Sequence, residues 1–141
     1  MYLDSAYIAK YYLAEPDAQR VRSVIAQADV LISSAISFGE MACLLHRQMR
    51  EGYMTRSDIE RVLHAFLDHV DEGVWTIVPV SDALLRRASL AAITAPGDTF
   101  LRAGDAIHLT TAKEAGEAEI WASDRHLLAA APHFGLIGRS A

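Results

Sequence analysis

Short apolar stretches and longer amphipathic stretches alternate along almost the whole chain, and this alternation limits the fold more than any other feature. The short stretches have the length of buried strands, and the longer ones repeat their apolar residues at helical spacing. Parallel strands need a crossover between them, and a helix is the usual crossover. The alternation therefore predicts an α/β fold of three layers, α/β/α, around a mostly parallel sheet of about five strands.

The predicted elements follow one another without an internal repeat or a linker. The predicted strands are residues 1–3, 30–33, 74–80, 120–122 and 136–137. The predicted helices are residues 6–13, a segment after Pro16 with its apolar stripe at 21–28, and residues 36–50, 56–70, 82–92, 106–115 and 125–131. A single domain over residues 1–141 is expected.

Charge and cysteine content narrow the classes of function. The formal net charge is −5, with eleven arginines and two lysines, so any contact with RNA is expected to be local and made by arginine. Cys43 is the one cysteine, so a disulfide or a thiolate metal site within the chain is excluded. No run reaches the ~18 apolar residues that a membrane span needs, and we expect a cytoplasmic protein without membrane contact.

Four acidic residues are placed by the predicted elements at one edge of the sheet. Asp4 follows the first strand and Asp124 the fourth, Glu40 lies early in the helix after the second strand, and Asp105 opens the helix before the fourth strand. In an open parallel sheet, ligands bind beyond the carboxyl ends of the strands, where the strand order reverses. The four carboxylates are therefore expected to be neighbours.

Clustered carboxylates repel one another and raise one another's pKa unless a cation compensates their charge. Hard divalent cations prefer oxygen ligands, and Mg²⁺ commonly combines one or two carboxylates with water and a substrate phosphate. The acids therefore predict a site for Mg²⁺ or Mn²⁺. A metal held there can activate water and stabilise the charge on an attacked phosphate.

Each of the three aspartates also has a purely structural explanation, because Asp at a strand-to-helix junction is a favoured N-cap. Glu40 is not explained in this way. Its neighbours on the helix surface are Ile36, Cys43 and Leu44. This apolar stripe is expected to make an unpaired charge costly, so Glu40 is the stronger indication of a site.

At these residues the chain resembles the PIN-domain family, especially the VapC-type toxins of bacterial and archaeal toxin–antitoxin pairs. The resemblance covers nearly the whole chain and includes the isolated Glu40. Its other matching pieces are Tyr-Leu-Asp-Ser-Ala at 2–6, Arg-Ala-Gly-Asp-Ala-Ile-His-Leu at 102–109, and Ser-Asp-Arg-His-Leu at 123–127. It implies a PIN-like three-layer fold, endoribonuclease activity dependent on Mg²⁺ or Mn²⁺, inhibition by a cognate antitoxin protein, and a homodimer.

The resemblance also implies a role for each acid. Asp4 and Asp105 resemble the family's strongest metal ligands, and Glu40 resembles a ligand or a carboxylate that orients water. Asp124 resembles a ligand that acts through water or contributes to a second metal. This fourth acidic position is the most variable in such enzymes, so a role in capping alone stays open for Asp124.

Hydroxyl and guanidinium groups next to the acids are further candidates. The same resemblance implies that Ser5 and Ser123 are hydroxyls that hydrogen-bond to the metal ligands. Arg102, Arg125 and Arg47 are candidates for contact with an RNA phosphate, because each lies near an acid in sequence or on the same helical face. Solvated arginines are common, so Arg102 is favoured only by its closeness to Asp105.

Histidine chemistry is not expected in this chain. A hydrogen-bonded place inside the packing explains His108 at least as well as a functional role. The remaining histidines form no i, i+4 pair of the kind found in zinc enzymes. They occupy positions 46, 64, 69, 126 and 133.

Three other functions share parts of this pattern. A non-catalytic PIN-fold module for partner binding or regulation is the main alternative to an endoribonuclease. A phosphorylated receiver domain would need a lysine late in a strand, whereas Lys10 and Lys113 both fall in predicted helices. A dinucleotide site would need a G-x-G-x-x-G motif after the first strand, and this motif is missing.

Overall fold

The computed structural model describes all residues from 1 to 141 as alternating strands and helices. The strands are β1 (Tyr2–Leu3), β2 (Leu31–Ser34), β3 (Trp75–Val78), β4 (Glu119–Trp121) and β5 (Ile137–Arg139). The helices are α1 (Ser5–Tyr12), α2 (Ala18–Ile25), α3 (Ile36–Arg50), α4 (Arg56–Asp71), α5 (Asp82–Ile93), α6 (Ala103–Glu114) and α7 (Arg125–Ala130), followed by a 3₁₀ turn at Ala131–Phe134.

The five strands form one sheet in the order β3-β2-β1-β4-β5, and every neighbouring pair is parallel. β1 lies in the middle, where Tyr2 pairs with Ile32 on one side and with Ile120 on the other. The chain builds the sheet outward from β1 in both directions, so the strand order reverses at β1. This confirms the predicted parallel sheet, and the carboxyl end of β1 is the position at which open parallel sheets bind ligands.

Helices cover both faces of the sheet, because successive strand residues point to opposite faces. Tyr2 belongs to a core formed with α5, α6 and α7, whereas Leu3 belongs to a core formed with α1 to α4. Both side chains have no exposed surface. The two residues of β1 thus anchor both outer layers, and the predicted α/β/α architecture is confirmed.

Several element boundaries differ from the prediction by a few residues. The ends of α3, α6 and α7 agree well, because glycine or proline follows each helix. Gly52 and Gly116 follow α3 and α6 with φ of 80° and 79°, a left-handed conformation that ends a helix. Pro132 ends α7 as predicted, and it lies at the start of the 3₁₀ turn, where its missing N–H is not needed. The prediction for the helix before β4 was wrong in its start. α6 begins at Ala103, three residues earlier than expected, so Asp105 lies within its first turn.

No helix in the structure is both long enough and apolar enough to cross a lipid bilayer.

Phe66 provides a test of the core beneath α4. Its side chain is completely buried and packs near Tyr12 and Phe38. We expect Phe66→Ala to lower the free energy of unfolding by about 3–5 kcal/mol, because it removes a buried ring and leaves a cavity. Phe100 is 55% exposed, so Phe100→Ala should change it by less than about 0.5 kcal/mol. Urea denaturation measures both values, and equal losses would contradict this packing.

Candidate active site

A cavity of about 610 Å³ opens at the carboxyl end of β1, and all four predicted acids line it. Asp4 follows β1, Asp124 follows β4, and α3 and α6 contribute Glu40 and Asp105. The parallel order of the sheet brings these residues together, because β1 and β4 are neighbours whose chains leave the sheet at the same edge. The predicted clustering of the acids thus agrees with the cavity lining.

Asp4 serves as the N-cap of α1 and also faces the cavity. Its Oδ1 accepts a hydrogen bond of 2.8 Å from the backbone N–H of Tyr7, the single chain donor to this carboxylate. Only 5% of the residue is exposed. Burial raises the pKa of Asp4 from 3.8 to about 6, and the charges of Glu40 and Asp124 add to the effect against opposing contributions from His108 and Tyr7. The capping explanation and the functional explanation are therefore compatible.

Glu40 is held by two donors from other helices. Its Oε2 accepts hydrogen bonds from the Ser5 hydroxyl at 2.5 Å and from Nε2 of His108 at 2.9 Å. Burial by itself disfavours the charged form, but these hydrogen bonds hold the pKa of Glu40 below its usual value. Glu40 is therefore a carboxylate at neutral pH, with one oxygen fixed and Oε1 left without a chain donor.

The apolar stripe expected around Glu40 is present only in part. The buried residues of α3 are Ser37, Met41 and Leu45, which lie on another face of the helix. Cys43 is exposed and the side chain of Glu40 is 38% exposed, because this face of α3 borders an open cavity. Leu44 packs against the core formed with α1 to α4 and also lines the cavity, so the apolar stripe beside Glu40 lies where the core meets the cavity.

His108 connects Glu40 to the centre of the sheet. Its Nδ1 lies 2.9 Å from the hydroxyl of Tyr2, and 2% of the residue is exposed. Burial raises the pKa of Tyr2, so its phenol stays protonated and can donate to Nδ1. Nε2 then carries the hydrogen that Glu40 accepts. His108 is thus hydrogen-bonded inside the packing as expected, but the sequence did not indicate its contact with Glu40.

Arg102 joins the other two acids. Its Nε donates to Oδ2 of Asp105 at 3.0 Å, its Nη2 donates to Oδ1 of Asp105 at 3.2 Å, and Nη2 also contacts Oδ2 of Asp124. Burial opposes ionisation of Asp124, but the backbone N–H of His126 and the guanidinium lower its pKa. Arg102 therefore neutralises part of the acidic cluster from within the chain.

The other two predicted arginines occupy different places. Arg47 lines the cavity together with Arg50, which the sequence did not single out. Arg125 does not line the cavity, and its Nε lies 3.4 Å from Nε2 of His126. The structure therefore places Arg47, but not Arg125, beside the acids.

The two predicted serines also differ. Ser5 contacts Glu40, whereas the hydroxyl of Ser123 accepts a hydrogen bond of 2.7 Å from Nζ of Lys10. The Lys10 ammonium is nearly buried and also pairs with Asp17. Lys10 thus ties the loop before Asp124 to the start of α2. A lysine in the midst of a short apolar helix was the available signal for this role.

Gly104 is a second residue that the sequence did not single out. A Cβ atom at this position would lie 2.5 Å from Oε1 of Glu40. Glycine is unfavourable inside a helix, so a glycine in the first turn of α6 was the available signal for a close approach. The absence of a side chain at Gly104 gives the Glu40 carboxylate its place at the cavity wall.

The donor set suits a hard divalent cation. All four acids offer oxygen ligands, and Asp4 is a buried carboxylate that no chain cation contacts. No group of three or more His, Cys, Asp or Glu side chains is arranged to hold a metal ion as the side chains stand. Instead, His108 engages Glu40, and Arg102 engages Asp105 and Asp124.

Several solved structures share this fold at low sequence identity. VapC20 of Mycobacterium tuberculosis, described as a Sarcin-Ricin loop cleaving toxin, is 17% identical with a TM-score of 0.73, covering 92% of this chain and 93% of VapC20. FitAB bound to an IR36 DNA fragment is 17% identical with a TM-score of 0.69, covering 99% and 93%. FitAcB from Neisseria gonorrhoeae is 17% identical with a TM-score of 0.68, covering 97% and 94%.

No curated protein matches the sequence. The profile of the PIN domain family matches residues 1–132, which include β1 to β4 and all four acids of the cavity. This match extends over almost the entire chain, and the fold agrees with it. The chain therefore belongs to the PIN domain family.

Proposed function

We propose that this PIN domain is a Mg²⁺- or Mn²⁺-dependent endoribonuclease that acts as the toxin of a toxin–antitoxin pair. The observation that carries the proposal is the cavity at the carboxyl end of β1, lined by four acids from distant parts of the chain. VapC20, which is described as a cleaving toxin and has the same fold, supports it. The family membership of this chain supports it as well.

Asp4 and Asp105 are the proposed principal metal ligands, and Glu40 and Asp124 complete the set. A metal bound here would lower the pKa of the attacking water and stabilise negative charge on the attacked phosphate. Asp4 is suited to this role because it can offer Oδ2 while Oδ1 caps α1. The cap fixes the direction of the carboxylate, and a fixed ligand binds without losing side-chain freedom.

Glu40 is the proposed residue for orienting the attacking water. Ser5 and His108 donate hydrogen bonds to its Oε2, so the free Oε1 can accept a hydrogen bond from water in the cavity. His108 and Ser5 are positioning residues, because they act on the substrate only through Glu40. The water attacks the phosphorus in line, which leaves a 5′-phosphate and a 3′-hydroxyl end without using the RNA 2′-hydroxyl.

Arg47 and Arg102 are the proposed contacts for the RNA phosphates, and both line the cavity. The proposed protein partners are a cognate antitoxin and a second copy of the chain. Apolar side chains that lie exposed outside the core support both contacts. Leu90 and Ile93 on α5 are 66% and 81% exposed. Such surface suits protein contacts in a cytoplasmic toxin.

Removing the Asp4 carboxylate tests the proposed activity. We expect the purified protein to cleave a structured RNA in the presence of Mg²⁺ or Mn²⁺, and we expect cleavage to stop when EDTA is added. Asp4→Asn should lower the rate by at least about 100-fold, since changes even beside a metal ligand cost 10- to 100-fold. Asp29→Asn, at an exposed aspartate outside the cavity, is the matched control.

Two results of this assay would contradict the metal mechanism. Cleavage that persists in EDTA would point to histidine chemistry instead. An Asp4→Asn variant that keeps both its cleavage rate and its antitoxin binding would favour the non-catalytic, partner-binding module.

Asp4→Asn should also stabilise the metal-free protein at neutral pH. The pKa of Asp4 is raised from 3.8 to about 6, so the folded protein binds this proton more tightly than the unfolded chain does. Stability is therefore lost as the pH rises from about 4 to 6, on the order of 3 kcal/mol at most. Asparagine carries no charge and can still accept from the Tyr7 N–H. Urea denaturation in EDTA should show the gain at about pH 7.5 and little at about pH 4.

The response to Mg²⁺ is a second test of the charge on Asp4. Saturating Mg²⁺ should stabilise the parent protein and have little effect on Asp4→Asn, because a ligand stabilises only the state that binds it. A variant that is less stable than the parent at both pH values would contradict the burial cost assigned to Asp4.

Gly104→Ala separates stability from activity. Alanine favours a helix by about 1 kcal/mol over glycine, so the variant should be at least as stable to urea as the parent. Its Cβ would lie 2.5 Å from Oε1 of Glu40, so that carboxylate must move. We expect the cleavage rate to fall at least about 10-fold, as for other changes beside a metal ligand. Gly39→Ala, where a Cβ meets no atom within 4 Å, is the control. An unchanged rate in Gly104→Ala would contradict the role of Glu40.

A further inference from the structure

Arg102 occupies the oxygens that a metal at this site would need. It engages both oxygens of Asp105 and one oxygen of Asp124. The Asp105 side chain is 9% exposed and that of Asp124 is 28% exposed, whereas the Arg102 side chain is 55% exposed. The acids are thus held in the cavity wall, and the cation that pairs them lies at the surface.

A guanidinium and a divalent cation cannot share these oxygens without repulsion between like charges. Three observations indicate which of them can leave. The side chain of Arg102 is mostly in solvent, so its movement exposes no core. The backbone N–H of Arg102 caps α6 by a separate 3.0 Å hydrogen bond to Asp105, so the helix start does not need the guanidinium. The ring of Phe100 lies 5.9 Å from Cζ of Arg102 and offers it a second contact at the surface.

We propose that Arg102 is an internal counterion that holds Asp105 and Asp124 together in the metal-free protein and is displaced from them when the metal binds. This inference rests on the proposed function. It assigns Arg102 a role as a competitor of the metal, which sets how much free Mg²⁺ or Mn²⁺ the site requires. The displaced guanidinium is then free for the RNA phosphate contact proposed above.

Mn²⁺ affinity tests the competition directly, because free Mn²⁺ gives an electron paramagnetic resonance signal that is lost on binding. We expect Arg102→Ala, without RNA, to lower the Kd for Mn²⁺ by about threefold to tenfold, the range of one or two exposed ion pairs. Arg102→Lys keeps a charge but loses the planar fork, so its Kd should fall between those of Arg102→Ala and the parent. Arg125→Ala is the matched control, because it removes the same charge at the residue after Asp124 in sequence, outside the cavity, without removing a contact to an acid.

Thermal unfolding provides a second readout that does not depend on activity. Removing the Arg102 side chain should lower Tm in EDTA, where Asp105 and Asp124 lose their cation. The loss should become smaller in saturating Mn²⁺, since competition between two cations for one site is reciprocal. Arg125→Ala should shift Tm equally under the two conditions.

Three results would overturn the inference. A Kd in Arg102→Ala equal to that of the parent would show that the guanidinium does not compete. A weaker Kd would show that Arg102 positions the acids for the metal. An equal gain in Mn²⁺ affinity in Arg125→Ala would show an effect of net charge alone. If instead the parent binds no Mn²⁺ and Asp4→Asn behaves identically, the proposed function itself fails.

Discussion

The parallel pairing of β1 on both of its edges is the interaction on which the rest of the structure depends. β1 has two residues, yet Tyr2 enters one core, Leu3 enters the other, and Asp4 leaves the sheet at its carboxyl end. β2 and β4 both pair with β1 in parallel, so the residues that follow these strands leave the sheet at the same edge as Asp4. The position of the cavity is a consequence of this topology.

Acids gathered at that edge repel one another, and the chain compensates their charges unequally. Asp4 has no cation partner, and burial raises its pKa to about 6. Glu40 is held by His108 and Ser5, which keep its pKa low. Arg102 pairs the remaining two acids. Three of the four acids are thus paired within the chain and Asp4 is not, and we propose that a divalent cation replaces the part that Arg102 contributes.

Sequence reasoning and structure agree where local signals and topology act together. Asp4 could be placed because it follows an apolar strand, and the β/α alternation requires a parallel sheet whose strand ends share one edge. Glu40 was selected for its apolar neighbours, and this reason holds only in part, since Leu44 packs against a core whereas Cys43 is exposed beside the cavity. The start of α6 was missed because Asp105 was taken as an N-cap. Asp105 is instead the third residue of the helix, and its side chain accepts a hydrogen bond from the backbone N–H of Arg102, which is the N-cap.

The sequence by itself determined the class of fold and predicted the four acids that line the cavity, because periodicity and strand-to-helix junctions are local properties of the chain. Only the tertiary structure decided which groups compensate those acids. The contact between His108 and Glu40 spans 68 residues, and that between Arg102 and Asp124 spans 22. No periodic pattern records such pairs, because the packing of α3 and of β4 against α6 creates them.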